Sequence, residues 1–239
     1  MMPRTGLFAL FAAFLLAALL VFLPLRAISA VTGTGRDAAV FGTVWNGHIQ
    51  GLAVGPRRLG EIGVAMRLDG FLSGRADFDW SIDDPSLRGQ GRASTGAGGY
   101  RIVDAHAVMT PASFVLLPGG LLSPQDAASV TIDRIVWQDG ACLSASGRVR
   151  SDALFAMGQR LGADLPALDG VLECREGALA VLLSGESPDA TVSADIRWTP
   201  GRVTGQARVE TGSHEIAAVL EASGFVLEDS VWSLQISGS

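Results

Sequence analysis

Apolar and polar residues alternate strictly along this chain, and turn dipeptides interrupt the alternation at intervals. No other feature restricts the fold as much. Phe78, Trp80 and Ile82 alternate with Asp77, Asp79, Ser81 and Asp83. Val192, Ala194, Ile196 and Trp198 alternate with Thr191, Ser193, Asp195 and Arg197. Val203, Ala207 and Val209, and then Trp232, Leu234 and Ile236, repeat the pattern. Successive side chains of a strand point to opposite faces, so each run reads as an antiparallel strand with one apolar face. Asn46-Gly47, Asp69-Gly70, Asp139-Gly140, Pro200-Gly201 and Ser223-Gly224 separate the runs and read as turns. One segment has helical spacing, Ser151 to Leu161. Ser151 or Asp152 can cap it, Leu154, Met157 and Leu161 form its stripe, and Gly162 ends it.

A hairpin unit recurs. Ala76-Asp77-Phe78-Asp79-Trp80-Ser81 precedes Gly89-Gln90-Gly91-Arg92, and Ala194-Asp195-Ile196-Arg197-Trp198-Thr199 precedes Gly205-Gln206-Ala207-Arg208. A looser copy runs from Trp137 through Asp139-Gly140 to Gly147-Arg148. A lone hairpin cannot bury its apolar face, so neighbouring units must line up.

Gly6 to Leu23 carries no charge and no polar side chain. As a helix, about 18 residues span about 27 Å, close to the thickness of a bilayer core. The run reads as an uncleaved signal anchor, or else as a signal peptide cleaved near Ala27-Ile28-Ser29-Ala30. Its length favours the anchor. Both readings export the rest of the chain, and no second run is long and apolar enough to span. The expected fold class is therefore mainly β: an N-terminal transmembrane helix, then a long antiparallel meandering, curved sheet built of repeated hairpins, with one short helix near 151–161. The expected organisation is a cytoplasmic tail at 1–5, an anchor at 6–25, a linker at 26–36 and an exported β-rich domain at 37–239.

Composition removes several function classes. The formal net charge is −6, opposite to the balance of a nucleic-acid binder. All 18 basic residues are Arg, so Schiff-base lysines and Walker-type loops are excluded. Cys142 and Cys174 are the only cysteines and lack metal-ligand spacing. In an exported chain they read as a structural disulfide closing a loop of about 30 residues, worth about 3–4 kcal/mol. Two buried free thiols are the alternative.

Positive signs of catalysis are missing from the sequence. His48, His106 and His214 are far apart, and His48 and His214 read as exposed strand-end residues. The Gly89–Gly96 stretch lacks the lysine of a phosphate-binding loop, and no G-x-S-x-G elbow occurs. Asp77, Asp79, Asp83 and Asp84 read as a solvated strand edge. The expectation is a protein that is not an enzyme, with no cofactor and no metal.

Leu23-Pro24-Leu25-Arg26 followed by Phe41-Gly42-Thr43-Val44-Trp45-Asn46-Gly47 resembles the type II secretion system protein N family. The resemblance continues through Gly51-Leu52-Ala53-Val54, Leu59-Gly60-Glu61-Ile62-Gly63-Val64 and Leu72-Ser73-Gly74-Arg75. Its G-T-x-W-x-G signature falls on Gly42, Thr43, Trp45 and Gly47. The placing of Cys142 before Gly147, and of Cys174 after Leu168-Asp169-Gly170, is similar to some members. Val64-Ala65-Met66 stands where members often carry a Trp. The resemblance implies a single-pass protein of the bacterial inner membrane, with its N-terminus cytoplasmic and its bulk periplasmic. It implies an accessory, scaffolding role in the export of folded proteins across the outer membrane. It implies other type II secretion components as partners without saying which, and the bitopic inner-membrane component is the one expected.

Two further expectations come from the residues. Asn46-Gly47 should form a type I′ turn, with Trp45 anchoring the first hairpin. The apolar strand faces Val64/Met66/Leu68 and Leu179/Val181/Leu183 could line a groove for a lipid. In style the repeated hairpins look similar to AsmA-like β grooves, so lipid carriage is the alternative function.

Overall fold

The structure is a computed structural model. It describes residues 38–54, 57–68, 70, 74–110 and 126–238, with positions 11, 14, 15, 18, 22 and 24–26 ahead of them. The expected tail at 1–5 lies outside the described residues, as does most of the 6–25 run and all of the linker but Arg26. No helix among the described residues is long and apolar enough to cross a membrane.

The chain divides into two compact units, Met1–Asp84 and Pro85–Ser239. The first holds β1 (Ala39–Thr43), β2 (Asn46–Gln50), β5 (Glu61–Arg67) and β6 (Ala76–Asp84), paired in that order and antiparallel. A small ribbon of β3 (Ala53–Val54) and β4 (Arg57–Arg58) makes an excursion between β2 and β5. The register puts Val40 opposite Ile49, Ile49 opposite Ile62, and Ile62 opposite Ile82. Val64 faces Trp80, and Met66 faces Phe78. Directly paired residues share a face, so one side of this sheet is apolar. The other side carries Asp77 opposite Arg67, and Asp79, whose carboxylate lies 3.6 Å from the Arg67 guanidinium. Asp84 accepts a hydrogen bond from the Gly60 amide at 2.9 Å. These aspartates are therefore engaged on the polar side and at its rim.

The second unit contains β7 (Leu87–Gly96), β8 (Gly99–Met109), β9 (Ala128–Gln138), β10 (Ala141–Ser151), β11 (Leu168–Arg175), β12 (Ala178–Glu186), β13 (Ala190–Thr199), β14 (Arg202–Thr211), β15 (Val226–Glu228) and β16 (Val231–Gly238). Each strand from β7 to β13 pairs with its successor. β16 then pairs with β14, and β15 lies outside β16. This is the expected meander, reversed once at the end. Among the described residues two helices interrupt it, α1 (Ala153–Leu161) and α2 (His214–Ala222), where one was expected.

The turns follow the chemistry of their residues. Asp139 and Gly140 both have positive φ, as a two-residue type I′ turn requires. Gly201 after Pro200 also has positive φ. Glu176-Gly177 and Asp229-Ser230 make similar turns without an Asn-Gly or Asp-Gly signature. Ser223-Gly224 is not a hairpin turn. It ends α2, with Gly224 at φ 87° supplying the left-handed step after the helix.

Bulges keep the apolar residues of the second unit in phase. Val130 and Ile132 cannot share a face with Ile135 and Trp137 by simple alternation. In the β9–β10 pairing Ser146↔Arg134 is followed by Gly147↔Ile132, so Asp133 is an extra residue of β9. In the β7–β8 pairing Gln90↔His106 is followed by Arg92↔Val103, so Asp104 and Ala105 of β8 stand against the single Gly91 of β7. Each extra residue restores the phase and bends its strand. As a result one face carries Ile102, Ala105, Ile132, Ile135, Trp137, Leu172, Val181, Ile196 and Leu234.

α2 starts with Ser213, whose Oγ accepts from the Ile216 amide at 3.4 Å and donates to Glu215 at 2.9 Å. The Ser213 hydrogen bond holds the Glu215 carboxyl below its ordinary value of 4.5. A lowered carboxyl stabilises the fold above its unfolded pKa, and that contribution disappears as pH falls through the folded value. Glu215→Gln should therefore flatten the acid limb of the stability curve below about pH 4.5. A melting series between pH 3 and pH 6 that superimposes on wild type would count against this.

Candidate functional site

Two places carry the residues singled out by the sequence: the first hairpin, and the apolar face of the second unit. In the first hairpin Thr43 faces Asn46, so the two turn residues are Val44 and Trp45. Asn46-Gly47 is thus not the turn but the start of β2, and Gly47 does not have positive φ. The left-handed residue is Gly42, at φ 82°, where a Cβ would collide with the Asn46 carbonyl. Thr43 Oγ1 accepts from the Asn46 amide at 3.4 Å and closes the turn. Val44 is the residue that is buried, at 3% exposure, and its carbonyl accepts from the Met66 amide at 2.9 Å. Trp45 is half-buried. A left-handed glycine ahead of the loop lets two non-glycine residues turn, with the smaller β-branched one inward. Val44→Ala removes two buried methyl-sized groups and should cost about 1.5 kcal/mol. Trp45→Ala should cost less than the roughly 3–5 kcal/mol of a fully buried ring. Urea titration of both variants measures the difference.

The histidines occupy separate places. His48 is not a strand-end residue but the third residue of β2, half-buried, with Nδ1 2.8 Å from Glu61 Oε1. His106 is exposed on β8, its Nδ1 3.3 Å from Thr131 Oγ1. His214 opens α2 and lies on no strand. Among the described residues no group of three or more His, Cys, Asp or Glu side chains could hold a metal ion.

On the second unit the groove candidates Leu179, Val181 and Leu183 lie on the apolar face of β12, opposite Trp198, Ile196 and Ala194. Val64 and Met66 lie on the apolar face of the first unit, while Leu68 follows β5 and is 68% exposed. The two halves of the expected groove therefore belong to different units.

The helices cover one rim of the second unit's apolar face. Met157, Leu165, Ala190, Val192, Val209 and Ile216 are buried there, with Leu154, Leu168, Leu220 and Trp232 packed against them. Arg160 of α1 clamps the buried Asp126 through two hydrogen bonds, 3.0 and 2.7 Å. This pairing raises the Arg160 pKa above its ordinary value.

The opposite rim is built from one cross-strand row: Tyr100, Trp137, Cys142, Cys174, Leu179, Trp198 and Val203, one residue from each of β8 to β14. Cys142 and Cys174 form a disulfide with Cα atoms 5.5 Å apart. Cys142 follows the β9–β10 turn and Cys174 precedes the β11–β12 turn, so the bond ties two hairpin tips together. Trp137 is 2% exposed and stacks on Tyr100 at 5.9 Å between centroids. Its other neighbour is Trp198, at 4.8 Å. Trp137 and Trp198 stand on strands four places apart, which in a flat sheet is about 19 Å. Their rings can touch only because β9 to β13 coil toward the apolar face.

Glycines on that face permit the coiling. A Cβ at Gly147 would strike the Thr131 carbonyl, and one at Gly170 the Leu182 carbonyl. Between the helix-covered rim and the aromatic rim, Val181, Leu183, Ile196 and Ala207 remain only half-buried. The polar face is laced by Arg–carboxylate pairs. Arg197 contacts Asp195 at 3.3 Å and Glu176 at 3.0 Å, and Arg175 pairs with Glu173.

A family model described as type II secretion system (T2SS), protein N, matches residues 38–235. The chain belongs to the type II secretion system protein N family. The match runs from the residue before β1 into β16, so it takes in both units and the disulfide row as well as the first hairpin. The chain is accordingly a component of the type II secretion system. Searches of curated proteins and of solved structures return no match.

Proposed function

We propose that this member is an accessory, non-catalytic scaffold of the secretion machine. It is held in the bacterial inner membrane by the 6–25 run, with its N-terminus cytoplasmic and both β units in the periplasm. The disulfide supports the periplasmic placement, because such bonds persist in oxidising compartments. The observation that carries the scaffold reading is the open edge of the second unit. β15 pairs with β16 only at Val231–Ser233. The outer side of β16 beyond Ser233 has no paired strand among the described residues. Val226 and Leu227 on β15 are 58% and 53% exposed. An unpaired edge flanked by exposed apolar residues accepts an added strand.

The partner proposed is the bitopic inner-membrane component, bound by strand addition. Photo-crosslinkers at Leu234, Gln235 and Ile236 in the full-length chain test this in secreting cells. The expected result is a crosslink to another secretion component from this edge, and none from Ser129 on β9. Equal labelling from both places would defeat the scaffold reading.

A second reading, lipid binding along the second unit's apolar face, has one specific observation in its favour. Among the described residues Trp137 Nε1, at the end of that half-covered face, is buried without a hydrogen-bond partner. A buried donor left unpaired costs about 1–3 kcal/mol, and an ester or phosphate oxygen would relieve it. Native mass spectrometry of the membrane-extracted chain distinguishes the readings. A co-purifying phospholipid lost in Trp137→Phe supports a groove, and a lipid-free mass leaves the scaffold alone.

A further inference from the structure

We propose that the Phe41–Gly47 hairpin is a socket that grips three residues at the C-terminal end of the N-terminal apolar run. Pro24, Leu25 and Arg26 each hold a different part of it. Pro24 pairs with Thr43 in an antiparallel bridge. Arg26 Nε donates to the Val40 carbonyl at 2.9 Å, and its guanidinium lies 5.8 Å from the Phe41 ring centroid. That ring is 45% exposed, and the cation gives an aromatic side chain on the outer face a partner. The Leu25 side chain fills the space above Gly47, where an added Cβ would lie 2.5 Å from Leu25 Cδ2. Gly47 has an ordinary φ, and an added Cβ would also lie 2.8 Å from the Thr43 carbonyl, so its lack of a side chain serves both the tight hairpin and the approach of Leu25. The hairpin signature and the Leu-Pro-Leu-Arg segment are thus two halves of one contact.

The contact changes how the first unit is attached. Residues 27–37 as a free tether would let the unit stand off by up to about 35 Å. The grip bypasses them and joins β1 and β2 to the end of the apolar run without slack. The grip itself stands on these contacts alone. Its consequence, a first unit riding at the bilayer surface in one orientation, rests on the anchor reading proposed above.

The full-length chain in native membranes tests both. Antiparallel bridge partners have Cα atoms about 4.5–5.5 Å apart, within disulfide range. Pro24→Cys with Thr43→Cys is expected to form a second disulfide under mild oxidation. Pro24→Cys with Gln50→Cys, at the far end of β2, is expected to stay reduced. No bond in the first pair, or equal bonding in both, overturns the socket.

A second variant covers failure of the cysteine pairs to fold. Leu25→Ser with Arg26→Ala should speed amide exchange in β1 and β2 about five- to tenfold and leave β9 and β10 unchanged. Unchanged exchange in β1 and β2 also overturns the socket. An alkaline wash of the same membranes separates the two failures. A crosslinked chain that washes off keeps the socket and removes the anchor, and an uncrosslinked chain that stays does the reverse.

Discussion

Trp137→Ala is expected to destabilise the second unit by about 3–5 kcal/mol, the largest effect of any single substitution proposed here. The indole is 2% exposed and is the residue that links the two arms of the coiled rim, Tyr100 on one side and Trp198 on the other. Removing it leaves a cavity over Ile135 and Cys142 that a continuous sheet cannot close by moving one strand. Trp137→Phe separates packing from hydrogen bonding. It keeps most of the buried ring and deletes the unpaired Nε1 donor, so it should cost far less than the alanine variant. Urea unfolding of fragment 85–239 reads both values once that fragment is shown to fold. In the full chain, exchange protection of β9–β13 serves the same purpose. A loss below about 1 kcal/mol for Trp137→Ala would mean that the rim does not hold the coil.

Loss of the Cys142–Cys174 bond is expected to cost about 3–4 kcal/mol, the loop-closure value for the 32-residue separation. The bond joins neighbouring strands at their hairpin tips, so the native geometry hardly depends on it. Its effect falls on the unfolded chain, where it shortens a long loop. The double Ser variant should therefore keep the wild-type fold at low temperature and melt earlier. Trp137 faces Cys142 across the β9–β10 pair. The triple variant should then lose less than the two separate losses together, because each change loosens the same rim. Strict additivity in a double-mutant cycle would show that the disulfide and the aromatic row act independently.

Legibility in the sequence differed from element to element. β6, β13, β14 and β16 were readable because period-two alternation is itself the side-chain geometry of a half-buried strand. α1 was readable from its stripe and from Gly162, which adopts the expected left-handed cap at φ 72°. α2 was not anticipated. Its nine residues follow the Gly212-Ser213 cap without a long stripe, and only Ile216 is buried. The bulges at Asp104 in β8 and Asp133 in β9 left one readable trace, the phase break between Ile132 and Ile135. The first hairpin was misread because Asn-Gly favours a type I′ turn in isolation. Here Gly42 takes the left-handed conformation, and Gly47 leaves room for the Thr43 carbonyl and for Leu25.

The sequence by itself determined the mainly β class of the fold, the apolar side of the cleanly alternating strands and the family. Each of these depends on residues close along the chain, whereas the oxidised state of Cys142 and Cys174 was decided by the structure. Only the tertiary structure decided that Trp137 and Trp198 meet across four strand spacings, that the expected groove residues divide between two units, and that Pro24–Arg26 grip the first hairpin. Those contacts join segments whose separation along the chain carries no periodic signal. They exist because bulges and strand glycines set how far the sheet coils, and because one missing Cβ leaves room for a leucine.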